Sequence, residues 1–170
     1  MKLTAFLLFT FGVFGFMFSQ EIPKEYLGNY KGELKIYNPE IVSKLDMELE
    51  ISASDTPGNY NYILRYLSKE KPDIRTYNLI ASDSTTNRFI LDENNGIKIP
   101  TTYVDNTLQS FFQVEYSLLS TKISFQKDIA VFEISVANTK QTDSTATYDG
   151  EFKVMGYPIG VYQKAFLKKE

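Results

Sequence analysis

The chain has 170 residues, 13 Phe and 12 Tyr, no Trp, no His and no Cys, and a formal charge of −3. Without His or Cys it has no imidazole base, no thiol nucleophile, no disulfide and none of the usual zinc, copper or haem-iron ligand sets. The slight acidity argues against nucleic acid or an anionic lipid surface as partner.

Residues 1–19 carry Lys2, then an apolar run from Leu3 to Phe18 that gives way to Ser19-Gln20-Glu21. This pattern predicts a cleaved signal peptide, because the run is shorter than the roughly 20 residues a spanning helix requires. No Cys marks the boundary for lipid attachment. The expected protein is therefore exported, to a bacterial periplasm or the medium, with no stable membrane insertion after cleavage. Residues 20–170 are long enough for one domain with a real core. With no disulfide available, burial and strand pairing must hold it together.

From Tyr30 to Ile36, apolar or small residues alternate with Lys31, Glu33 and Lys35, the period-two pattern of a strand with one dry face. Asn38-Pro39 breaks the ladder, and Glu40 to Lys44 is expected to be a loop or helical turn. Leu45 to Ala53 alternates strictly, with Leu45, Met47, Leu49 and Ile51 opposite Asp46, Glu48 and Glu50. A turn at 55–59 leads to a strand in which Tyr60, Tyr62, Leu64 and Tyr66 share one face. Strands are expected next at 74–81 and at 89–92, with a turn at 82–86 between them. Asn94-Asn95-Gly96 reads as a hairpin turn leading to a strand from Ile97, since Asn and Gly tolerate positive φ.

The alternation from Leu108 to Leu118 reads as one long strand, which makes Phe112, Val114 and Tyr116 core residues along with Ile123 and Phe125. Lys127-Asp128 is a tight turn into an apolar strand from Ile129 to Val136. Residues 138–149, rich in Thr, Ser and Asp, are expected to be a mobile loop. Strands at 152–155 and 161–167 close the chain. With no helical periodicity and only short links, the pattern predicts an all-β antiparallel meander of eight to ten strands. An up-and-down barrel is favoured because closure removes both open edges, with a β-sandwich as the alternative.

Gly28-Asn29-Tyr30 followed by Gly32 resembles the Gly-x-aromatic signature that opens the first strand of lipocalin-like (calycin) barrels. The string 27–32, with Tyr37-Asn38-Pro39-Glu40-Ile41, is also similar to the start of nitrobindin-like haem barrels, but this chain lacks the His that would hold the iron. A further general likeness is to uncharacterised exported Bacteroidetes proteins. The resemblance implies a barrel whose closed end is organised by Gly28, Tyr30 and Gly32, with a Lys of the final strand, Lys164 or Lys168, over the Tyr30 ring.

Tyr rows pair an apolar ring with a hydroxyl, which suits a small hydrophobic or amphipathic ligand. The candidate ligand-binding residues are Tyr60, Tyr62, Tyr66, Phe112 and Tyr116. An Arg turned inward among Arg65, Arg75 and Arg88 would suit a ligand carboxylate. Asp46, Glu48, Glu50 and Glu133 read as solvated strand decoration, and 92–96 as a turn rather than a calcium loop. No metal, cofactor or catalytic residue is expected, and the chain reads as a non-enzyme. The alternative function is a plugged barrel working through its outer surface as a protein-binding or cell-envelope accessory module, with the partner open. A cavity above roughly 300 Å³ favours the ligand binder and a filled core the accessory module.

Overall fold

The computed structural model describes residues 21–82 and 87–170. The expected leader at 1–19 and most of the turn expected at 82–86 lie outside the described residues. A single 3-10 turn, Lys24–Tyr26, precedes twelve strands. They are β1 (Gly28–Tyr37), β2 (Val42–Ala53), β3 (Tyr60–Leu67), β4 (Asp73–Ala81), β5 (Arg88–Asp92), β6 (Lys98–Val104), β7 (Thr107–Val114), β8 (Ser117–Gln126), β9 (Ile129–Asn138), β10 (Asp143–Ala146), β11 (Lys153–Gly156) and β12 (Ile159–Lys169). Ten of them close into one antiparallel barrel in the order β1-β12-β9-β8-β7-β6-β5-β4-β3-β2, while β10 and β11 pair only with each other. The expected all-β barrel is therefore the fold, and the sandwich is not. Among the described residues no helix is long and apolar enough to cross a membrane.

Alternation builds the barrel wall directly. Met47, Leu49 and Ile51 of β2 are fully buried inside it, and so are Tyr30, Leu34, Phe125, Phe132 and Leu167. Outward-facing neighbours form charge pairs across strands: Arg65 donates to Glu50 at 2.7 Å, and Lys31 lies 3.3 Å from Glu48. These pairs lie on the outer wall where water screens them, so the interior is what stabilises the fold.

Four local expectations are corrected. The stretch 108–118 is two strands, since Glu115 takes φ 49° in a two-residue turn that sets Val114 opposite Ser117. Val114 and Tyr116 are consequently exposed at that turn, not buried, and Phe112 is half-buried. Residues 138–149 are not a free loop: β9 runs on to Asn138, and β10 pairs with β11 through Thr145 opposite Val154. That pairing takes Phe152–Met155, expected as a barrel strand, into a hairpin outside the barrel. Strand β2 also begins at Val42, within the expected loop. Finally, the lysine over Tyr30 is Lys169, with Nζ 5.9 Å from the ring centroid. Ala165 and Leu167 fix the inward parity of β12, so Lys164 and Lys168 point outward, and Lys164 donates to Glu133 instead.

Candidate ligand cavity

The two ends of the barrel differ. At the end where β1 begins, the segment before β1 folds back as a plug. Ile22 is buried there, and its N–H donates to the Tyr60 hydroxyl at 3.0 Å. Tyr26 stacks on Phe125 with ring centroids 5.3 Å apart and accepts, through its carbonyl, a 2.9 Å bond from the Tyr30 hydroxyl. Gly32 lets β12 approach closely: a Cβ at that position would overlap the Phe166 carbonyl oxygen and stand 3.2 Å from Leu167 Cδ2. Gly28 sits at φ 144°, beneath Lys169, whose ammonium donates to the Glu25 carbonyl at 2.6 Å. Gly28, Tyr30 and Gly32 thus lie together at a sealed end.

At the opposite end the interior opens into a cavity of about 210 Å³ lined by Tyr62, Tyr66, Tyr77, Phe112, Leu119 and Phe132, with Arg75 and Glu93 at its mouth. Below it, near Tyr62, Thr101 and Ser110, the free space shrinks to about 30 Å³. A hollow of about 330 Å³ beside Ser54, Asn59 and Asn78 is an outer groove with polar walls, unsuited to an apolar ligand.

Inside the cavity the aromatic rings support one another. Tyr62 and Tyr77 lie 5.6 Å apart and Tyr66 meets Phe132 at 6.5 Å. Burial pushes the Tyr66 phenol up to about 12 and raises those of Tyr62 and Tyr77, with nearby Arg75 opposing the shift at Tyr66 and Tyr77. All three hydroxyls therefore stay protonated near neutral pH and can donate or accept hydrogen bonds. Arg75 lies over the Tyr66 ring at 5.1 Å, while its Nε and Nη2 donate to Asp73 at 3.0 and 2.8 Å. Its charge is thus already matched, and Glu93 adds a carboxylate to the same rim.

Of the residues singled out in the sequence, Tyr62, Tyr66 and Phe112 come together in this cavity. Tyr60 shares their face but sits deeper, against the plug, and Tyr116 lies outside on the β7–β8 turn, under the Lys140 ammonium at 3.4 Å. Sequence reasoning missed Tyr77, Leu119 and the specific inward Arg. Parity with the buried Tyr77 and Leu79 on β4 is the signal that turns Arg75 inward. The described residues hold no cluster of three or more metal-ligating side chains.

No family model and no curated protein matches the sequence. Thirteen solved chains do match it in structure. One is the crystal structure of a protein of unknown function from the DUF3598 family of Nostoc punctiforme, at a TM-score of 0.58 and 13% identity, covering 89% of this chain and 51% of that one. The present chain thus spans about half the length of that protein, and the likeness is one of barrel fold alone.

Proposed function

We propose that this protein is an exported, cofactor-free lipocalin-like barrel that binds a small amphipathic molecule in its open end. The observation that carries this reading is the cavity of about 210 Å³ walled by tyrosine rings and aliphatic side chains. That volume is about seven water molecules' worth and falls short of the roughly 300 Å³ expected of a ligand binder, so the reading requires a ligand that is small or enters by one end only. Its apolar end would rest among Phe112, Leu119 and Phe132. Its polar end would be an uncharged hydroxyl, carbonyl or amide at the tyrosine hydroxyls, because Arg75 is already paired with Asp73 and a free carboxylate would also meet Glu93.

Export rests on the apolar leader at 1–19. The sequence has no His and no Cys, the commonest base and thiol nucleophile, which supports a binding rather than a catalytic role. The second reading, a plugged barrel acting as an accessory module through its outer surface, is favoured by the filled lower half of the interior.

Native mass spectrometry of protein purified from its host separates the two. A retained small molecule supports the cavity reading. Binding of a neutral fluorescent amphiphile such as N-phenylnaphthylamine should then be abolished by Leu119→Trp, which fills the space, and weakened a few-fold to about tenfold by Tyr62→Phe, the loss of one neutral hydrogen bond. No retained molecule and no probe binding would leave the surface-module reading.

A further inference from the structure

The described residues expose eighteen large apolar side chains, and only four of them, Val104, Phe111, Ile129 and Phe166, lie away from the open end. The other fourteen sit on or beside the five connections there: 38–41, 68–72, 93–97, 115–116 and 139–158. Ile41, Ile97, Tyr116, Tyr148 and Phe152 place at least one on four of these connections, and Leu67 and Ile74 flank the fifth. Among the described residues, the connections of the sealed end carry no exposed large apolar side chain of their own, and only Val104 and Ile129 flank them. The longest of the five carries the β10–β11 hairpin, whose strands pair with no barrel strand, and its Tyr148 side chain is fully exposed. Its base is pinned to the β7–β8 turn by the Thr139 N–H, which donates to the Tyr116 carbonyl at 2.8 Å.

We propose that this apolar crown docks the open end onto a neutral, zwitterionic lipid surface, peripherally and without insertion of the barrel. Two features select that occupant. The five connections hold four lysines against seven carboxylates, so the crown complements no anionic membrane and would be repelled by one. The apolar contacts are also separate tips around a hole, the cavity mouth. A rigid protein partner would have to bridge that void, since a stable protein interface needs a packed centre. A fluid lipid surface conforms to separate tips, and the tyrosines among them suit the headgroup level, where an aromatic ring is half dry and half wet. Scattered apolar residues on a protein surface are ordinary; their concentration at one end of this barrel is not.

The test is sedimentation of the protein with phosphatidylcholine vesicles, against vesicles containing phosphatidylglycerol. Binding to the neutral vesicles is expected, weakened as the anionic lipid fraction rises. The variant Tyr148→Ser/Phe152→Ser/Val154→Ser should lose at least tenfold in partitioning, whereas Phe166→Ser, on the barrel wall, should match the parent. If the hairpin variant fails to fold, Ile41→Ser/Ile97→Ser carries the same expectation on different turns. Probe binding in the cavity is measured alongside, so that a failure of docking is separable from a failure of the ligand reading. The proposal is overturned by no association with neutral vesicles, by association that requires the anionic lipid, or by equal loss in Phe166→Ser. A concentration-dependent dimer abolished by the hairpin variant would also overturn it, because the crown would then cover a second copy of the chain.

Discussion

The seam between β1 and β12 depends on Gly32, and the variant Gly32→Ala tests the account of the closed end most directly. The added methyl would overlap a backbone carbonyl, that of Phe166, and press on Leu167, which is fully buried. A flexible side chain could rotate away, but a carbonyl fixed in a strand cannot, so the relief must come from moving one strand. Overpacking of a tight interior costs about 1 to 3 kcal/mol, and a backbone obstacle puts this case at the top of that range. A loss of about 3 kcal/mol corresponds to a fall of about 6 to 12 °C in melting temperature for a domain of this size. Gly160→Ala is the control, since a Cβ there meets nothing within 4 Å. Both are measured by thermal and urea denaturation followed by circular dichroism. A Gly32→Ala protein within about 0.5 kcal/mol of the parent, or equal to Gly160→Ala, would refute the reasoning.

Leu49→Ala, which removes a fully buried side chain from β2, should destabilise by about 2 to 5 kcal/mol in the same urea titration; a change below about 0.5 kcal/mol would be incompatible with its burial. Tyr30→Phe should cost about 1 to 3 kcal/mol by leaving the Tyr26 carbonyl without its donor, and Tyr30→Ala about 3 to 5 kcal/mol, with neither variant losing probe affinity at the far end of the barrel. Burial raises the phenols of Tyr30, Tyr66 and Tyr103 to about 12 each. Their folded pKa values lie above the unfolded one, so this stability is complete below about pH 10 and is lost as pH rises from about 10 to 12, by up to about 1.4 kcal/mol per pH unit per ring. Urea midpoints that stay level across that window would contradict the burial of these hydroxyls.

How much of this was legible in the sequence follows from what alternation encodes. Parity assigns a face, and it assigned Met47, Leu49, Ile51, Ile123 and Phe125 correctly. It does not assign height along the barrel, which is why Tyr60 and Tyr62 looked equivalent although one meets the plug and the other the cavity. The β7–β8 turn was missed because Glu115-Tyr116 contains none of the residues that mark turns. A trace of it was present: inward positions are even through Phe112 and odd at Ile123 and Phe125, and a two-residue turn produces that change. The outer hairpin was misread because its Ser and Thr residues are as common in loops as in exposed strands. Arg75 could not be singled out among the three arginines because a charge is ordinarily placed outside, and here it stays at the mouth, half exposed, paired with Asp73 and over the Tyr66 ring.

Barrel closure has a consequence for the order in which the protein assembles. Each neighbouring pair from β1 to β9 is a short hairpin that can form as soon as its second strand is available. The final joint is different: β12 lies between β9 and β1, with Tyr30 opposite Lys169. Until residues 159–169 arrive, the nine barrel strands β1–β9 would form a curled sheet with two long unpaired edges, a template for intermolecular pairing. Closing it brings together segments far apart in sequence, the kind of contact that forms slowly. A chain truncated before Ile159 should therefore aggregate rather than fold to a smaller barrel. A synthetic peptide spanning residues 159–169, added in trans, should compete for the same slot and rescue solubility.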